Sequence, residues 1–294
     1  MKAKIVFFLF LFFGAKNIFA SYVEISKETV NQGEFFEVFM KKSPRSEIFT
    51  VIFQERKYVS AWDEHKNSQR VIIPVGIFDS IGEVEILIES KITFVVPQKI
   101  TIKKSEFGES TSVEVVKPLS SNELAKYEKE QKMLESIYQR TTKHQFFSPL
   151  EFFSPFEYPL KNSAKVSSPY GFLRKRKVGA KSEKVEMVSH WGADLVVPKG
   201  ESVIASSTGI VRFAGNLINS GNTIIIDHGY NVFSVYMHLS KFLISEGDVI
   251  LSGDQIALSG DTGRVTGAHL HFAVRIWDKW VDPKYFVKGL EEKK

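Results

Sequence analysis

From Ser21 to about Val116 the chain runs in short segments rich in β-branched and aromatic residues: YVEI, FFEVFM, FTVIF, KYVSAW, RVIIPVG, EVEILIE, ITFVV, KITI and SVEVV. Several alternate, as Val84, Ile86 and Ile88 do, which places their apolar side chains on one face of an extended strand. Seven or more such strands in roughly 95 residues predict an immunoglobulin-like β-sandwich over residues 21–116, although the cysteine pair and tryptophan marker of antibody domains are missing. The period then changes. Ser120 and Glu123 form a capping box, and Leu124, Tyr127, Leu134, Ile137 and Tyr138 share one face of a helix running to about Arg140. The aromatic stretch KHQFFSPLEFFSPFEYPLKNS follows without a regular period, so residues 117–164 read as a helix and an ordered connector.

Beyond Ala164 the pattern becomes short strands between glycine turns: SVIAS, IVRFAG, NTIIID, FSVYMHL and HLHFAVRI. Fourteen of the 19 glycines lie between Gly171 and Gly289, which predicts a second all-β domain over residues 165–294. At the other end, Lys2 and Lys4 precede nine apolar residues, Ile5 to Phe13, and small residues follow at Ala20 and Ser21. That layout predicts a secretory signal peptide over residues 1–20, because a membrane-spanning helix needs about 20 apolar residues. An uncleaved leader acting as a membrane or envelope anchor is the alternative. Export places the protein in a periplasm or outside the cell.

Composition sharpens two points. With no cysteine there is no disulfide framework, no catalytic thiol and no thiolate metal ligand, so a metal site must use His, Asp or Glu. The formal charge of +5 includes Lys2, Lys4 and Lys16, and the first twenty residues carry no acid, so the remainder is only +2. What basicity persists is local, at Arg174, Lys175, Arg176 and Lys177 with Lys181 and Lys184 nearby. The cluster lacks interleaved aromatics, which argues against a nucleic-acid partner. It reads either as a solvated loop or as a groove edge that attracts carboxylates.

Five of the seven histidines fall in the last third: His190 in HWGAD, His228 in DHG, His238 in YMH, and His269 with His271 in HLH. His65 reads as a loop residue, His144 as a packing residue and His228 as a turn residue. Residues two apart on a strand share a face, which pairs His269 with His271 and Tyr236 with His238. His190 and Asp194 would stand about 13 Å apart on a straight strand. Gly192 between them lets the chain bend. Two neutral imidazoles and one carboxylate make a three-ligand zinc site with an open position, the pattern of catalytic rather than structural zinc.

HWGAD, ASSTGIVRFAG, NTIIIDHGY, VYMHLS, EGDVILSGDQIALSGDTGRVTGAHLHFAV and VDP occur in the order found in the lysostaphin-type (LytM-type) zinc metallopeptidases that cleave peptidoglycan peptides. The resemblance covers about residues 167–286, including SPYGFLR. It implies a C-terminal domain of the duplicated hybrid motif type and one Zn2+ per chain held by His190, Asp194 and His271. It implies His269 as general base and His238 as the residue that positions water or stabilises the oxyanion. Tyr236 and Arg174 would bind substrate. The implied activity is that of an exported endopeptidase acting on peptidoglycan peptide stems, of the DD-endopeptidase type with carboxypeptidase trimming in addition. A non-catalytic wall-binding, scaffold or activator protein that keeps the fold is the competing reading, and a protease acting on other proteins would share the same site. Some relatives are held inactive by an upstream residue, for which Glu151, Glu157 and Asn162 are candidates.

Overall fold

The computed structural model describes residues 4–6, 22–64, 66–90, 96–139 and 156–290, with backbone only for 4–6 and 96. Residues 1–20, expected from the sequence to be a leader, lie outside these residues except for the strand Lys4–Val6, which pairs antiparallel to Tyr22–Ile25. His65, His144 and Glu151 also lie outside them. The protein is mainly β and divides into two compact units, one ending at Ser105 and one beginning at Glu106.

The first unit has two five-stranded sheets. One is ordered Lys4–Val6, Tyr22–Ile25, Phe35–Lys41, Ser68–Pro74, Ala61–Asp63, and the other Thr29–Asn31, Val96–Lys103, Gly82–Ser90, Phe49–Phe53, Arg56–Val59. Along Phe49–Phe53 buried and half-buried residues alternate, as successive side chains of a strand point to opposite faces. Phe36 of one sheet meets Phe53 of the other edge to face at 5.5 Å, which fixes the core between the layers.

In the second unit the main sheet is ordered Val166–Ser168, Ala193–Leu195, Leu270–Ile276, Val232–Leu239, Gly221–Asp227, Gly209–Leu217, Val249–Ile250, with Lys279–Val281 also pairing Leu270–Ile276. A three-stranded sheet joins Ser202–Ile204, Gln255–Leu258 and Lys241–Phe242. A second one joins Glu109–Val116, Leu173–Val178 and Glu186–Ser189. The SVEVV segment, read from its pattern as part of the N-terminal sandwich, instead pairs in parallel with Leu173–Val178 in the second unit. Alternation identifies a strand but carries no information about a partner some sixty residues away.

The helix Ser121–Gln139 also belongs to the second unit. Its capping box forms: the Ser120 amide donates to Glu123 Oε2 at 2.8 Å and the Glu123 amide to Ser120 Oγ at 3.4 Å. Leu134, Ile137 and Tyr138 pack on Phe213, Leu217, Ile225, Phe233, Val235 and Ala273 of the main sheet. Leu124, expected on this face, is 48% exposed. Glu130 is buried instead, and its carboxylate accepts the Ile218 amide at 3.0 and 3.2 Å. Among the described residues no helix is long and apolar enough to cross a membrane.

Candidate metal centre

Strand register builds the site. Asp194 stands opposite His271, and His271 stands opposite Met237 on its other side. His190 follows the strand Glu186–Ser189, and its backbone is clamped on both sides: its amide donates to Phe172 O at 3.0 Å and its carbonyl accepts the Gly171 amide at 2.8 Å. The bend between His190 and Asp194 passes so close to the next strand that a Cβ at Gly192 would lie 2.5 Å from Phe272 O and 2.7 Å from His271 Nε2. Only glycine fits there.

Three ligand atoms converge as a result. His190 Nε2 lies 3.0 Å from His271 Nδ1 and 3.0 Å from Asp194 Oδ1, and His271 Nδ1 lies 2.8 Å from the same oxygen. All three residues are buried. His269 Nε2 stands 3.7 Å from Asp194 Oδ1, and the His238 ring lies 4.7 Å from that of His269 and 6.1 Å from that of His271. His269 is the most open of these side chains, at 18% exposure against 10% or less for the three converging residues.

Backbone carbonyls select the tautomers. His190 Nδ1 lies 2.9 Å from Pro169 O, His238 Nδ1 3.0 Å from Thr262 O, and His269 Nδ1 2.9 Å from Gly267 O. A carbonyl accepts only, so each of these Nδ1 atoms carries hydrogen and Nε2 is the nitrogen left to bind a metal ion or accept a proton. His271 is turned the other way, with Nδ1 facing the carboxylate. Thr262 is itself locked in place. A Cβ at Gly221, whose φ is +63°, would stand 2.3 Å from the Thr262 carbonyl carbon.

Electrostatics agree with a cation site. Burial opposes ionisation of Asp194, yet hydrogen bonds and charge from His190 and His271 outweigh it and hold the carboxyl well below the ordinary carboxylate range. Burial pushes His271 down despite the carboxylate, and burial with the neighbouring His271 and His269 pushes His238 down to about 3. Two imidazole nitrogens and a carboxylate oxygen converging this closely are stabilised by a proton or a metal ion lying among them. Nitrogen and carboxylate donors suit zinc, so the residues present fit that ion.

The other sequence candidates fall elsewhere. Tyr236, expected to touch substrate, has no exposed surface; its hydroxyl accepts the Ser206 amide at 2.8 Å and the Ser234 hydroxyl at 3.2 Å. The period-two pairing of Tyr236 with His238 breaks down because His238 has φ +64° and the ladder carries a bulge between Asn222 and Ile224. His228 is buried between Thr208 O and Ser234 Oγ, both at 2.8 Å. Arg174 reaches Asp194 Oδ2 at 2.5 Å and Ser168 Oγ at 2.8 Å rather than open solvent. In the basic cluster, Lys175 pairs with Glu109, Arg176 with Glu114 and Lys184 with Glu186. Glu157 and Asn162 flank Leu160, which bridges to Val203, and both are exposed there rather than among the converging atoms. Sequence reasoning missed the acceptors Pro169, Thr262 and Gly267 and the role of Ser168, since a backbone carbonyl leaves no trace in residue type.

On this β-sheet a His–Asp–His group that could hold a metal ion lies beside two further imidazoles. Residues 188–283, about a third of the chain, match the model of peptidase family M23. Peptidoglycan DD-endopeptidase ShyA of Vibrio cholerae is 36% identical over 115 residues, 39% of this chain and 26% of that protein. Murein hydrolase activator NlpD of Escherichia coli is 38% identical over 93 residues, 31% of this chain and 24% of that protein. The chain thus spans about a quarter of the length of these relatives. A crystal structure of an M23 peptidase from Pseudomonas aeruginosa shares the fold, with a TM-score of 0.65, 20% identity, and coverage of 88% of this chain and 95% of its own.

Proposed function

We propose that this protein is an exported zinc endopeptidase that hydrolyses peptide cross-links of bacterial peptidoglycan, of the DD-endopeptidase type, with carboxypeptidase trimming as an additional activity. The observation that carries this reading is the convergence of His190 Nε2, Asp194 Oδ1 and His271 Nδ1 beside two more imidazole edges. Those three atoms would hold one zinc. When bound, the ion supplies a Lewis acid that polarises a carbonyl and lowers the pKa of water from 15.7 to about 7. Asp194, kept anionic, offsets part of its charge. His269, pinned through Nδ1 and the most open of the group, presents the lone pair that takes a proton from the attacking water and later returns it to the leaving amine. His238, whose Nδ1 donates to Thr262 O and whose pKa burial holds down, would offer its Nε2 lone pair as an acceptor, which favours positioning the water over donating to an oxyanion. The leader pattern supports export to the periplasm or beyond.

His269→Ala separates binding from chemistry. It should retain zinc while turnover of cross-linked muropeptides falls about 10²- to 10⁴-fold. Turnover equal to wild type would remove His269 from the reaction.

The match to NlpD favours a second reading, in which the chain activates another wall hydrolase. An activator needs no metal, so purified protein without zinc and without muropeptide hydrolysis would support it.

A further inference from the structure

The two oxygens of Asp194 face different groups. Oδ1 looks into the cluster of His190, His271 and His269. Oδ2 accepts from Arg174 Nη2, and the same nitrogen donates to Ser168 Oγ. Ser168 is the ladder partner of Asp194, and its hydroxyl lies 3.2 Å from His190 Nδ1, so one guanidinium braces both sides of the site. Arg174 is delivered by the strand Leu173–Val178, where it stands opposite Val188, two residues before His190. Its cationic neighbours Lys175 and Arg176 pair instead with Glu109 and Glu114.

A carboxylate that is free at both oxygens can bind a cation through either one or both. Using both would occupy the position that a catalytic zinc must keep open. We propose that Arg174 is a positioning residue that occupies Oδ2 of Asp194, restricts this ligand to one oxygen, and so keeps the fourth coordination position free for water and substrate. A guanidinium suits the task because it stays charged at any working pH and holds its donors in a fixed plane. This inference rests on the zinc reading above.

The test uses the full chain with Arg174→Met and Arg174→Lys. Three quantities are read: zinc affinity by competition with a chromophoric chelator, the visible spectrum of the Co2+-substituted protein, and kcat and KM on a cross-linked muropeptide. Arg174→Met should weaken zinc about 10- to 100-fold. Its cobalt bands should lose intensity as the site moves from four to five ligands, and kcat should fall with KM unchanged. Arg174→Lys keeps the charge on a shorter reach and should fall between, which preserves the test if the Met variant does not fold. Wild-type zinc affinity and cobalt spectra in both variants overturn the proposal, and a rise in KM alone would make Arg174 a substrate-binding residue. Should the wild type bind zinc yet hydrolyse nothing, the peptidase reading fails while the affinity and cobalt measurements still decide Arg174. A wild type that binds no zinc overturns both.

Discussion

Replacing Gly192 by alanine would drive a methyl group into the wall of the site. The added Cβ would stand 2.5 Å from Phe272 O, 2.7 Å from His271 Nε2 and 2.9 Å from Ala273 Cβ. The nearest of these is backbone in the middle of the Leu270–Ile276 strand, which cannot swing aside as a flexible side chain would. Overpacking of this kind costs about 1–3 kcal/mol. For a unit of this size each kcal/mol lowers Tm by roughly 2–4 °C. The displacement falls on the strand that carries His271, so zinc affinity should drop together with stability. Calorimetry of the second unit's transition, paired with chelator competition for zinc, reads both effects. Gly267→Ala is the matched control for stability, because a Cβ there meets nothing within 4 Å. If Gly192→Ala melts and binds zinc like the wild type, the close approach of these strands is wrong.

Two further outcomes follow from groups outside the site. Burial pushes His228 down to about 4 despite its bond to Thr208 and the nearby Asp227 carboxylate, which Arg212 binds. The unfolded chain therefore takes up a proton near pH 6.5 that the folded one refuses until about pH 4. The stabilisation from neutral His228 is complete above pH 6.5 and is lost as pH falls toward 4, about 3 kcal/mol in all. His228→Gln should flatten the pH dependence of urea unfolding in zinc-free protein across that window. His238 adds a slope of the same sign in both proteins, and an unchanged difference between them would refute the assignment. Glu130→Ala leaves the Ile218 amide without its acceptor, so the second unit should lose about 1–3 kcal/mol by denaturant titration. A loss within error would mean the helix is held by Leu134, Ile137 and Tyr138 alone.

Local rules were read from the sequence more readily than distant pairings. The capping box of Ser120 and Glu123, the shared buried face of Ile86 and Ile88 and the close set of His190, Asp194 and His271 depend on spacing along a few residues or on a motif order, and each is visible in the residues themselves. The fates of Tyr236 and Glu130 depend on tertiary context. A positive φ at His238 and a ladder bulge undo the period that paired Tyr236 with the site. A buried glutamate on a helix face looks like a solvated one until the Ile218 amide is brought against it. Arg174 shows the same limit: its residue type announces charge, but only the parallel pairing of Glu109–Val116 and the fold of Leu173–Val178 onto Glu186–Ser189 point it at Asp194.

Mass spectrometry of muropeptides tests the central claim most directly. Purified peptidoglycan is digested with the zinc-loaded protein and, in parallel, with Asp194→Ala. The wild type should convert cross-linked dimers to monomers with new peptide ends, and the variant, lacking the carboxylate that joins His190 and His271, should leave the profile unchanged. An unchanged profile with zinc-loaded wild-type protein would contradict the claim that this site cleaves wall cross-links.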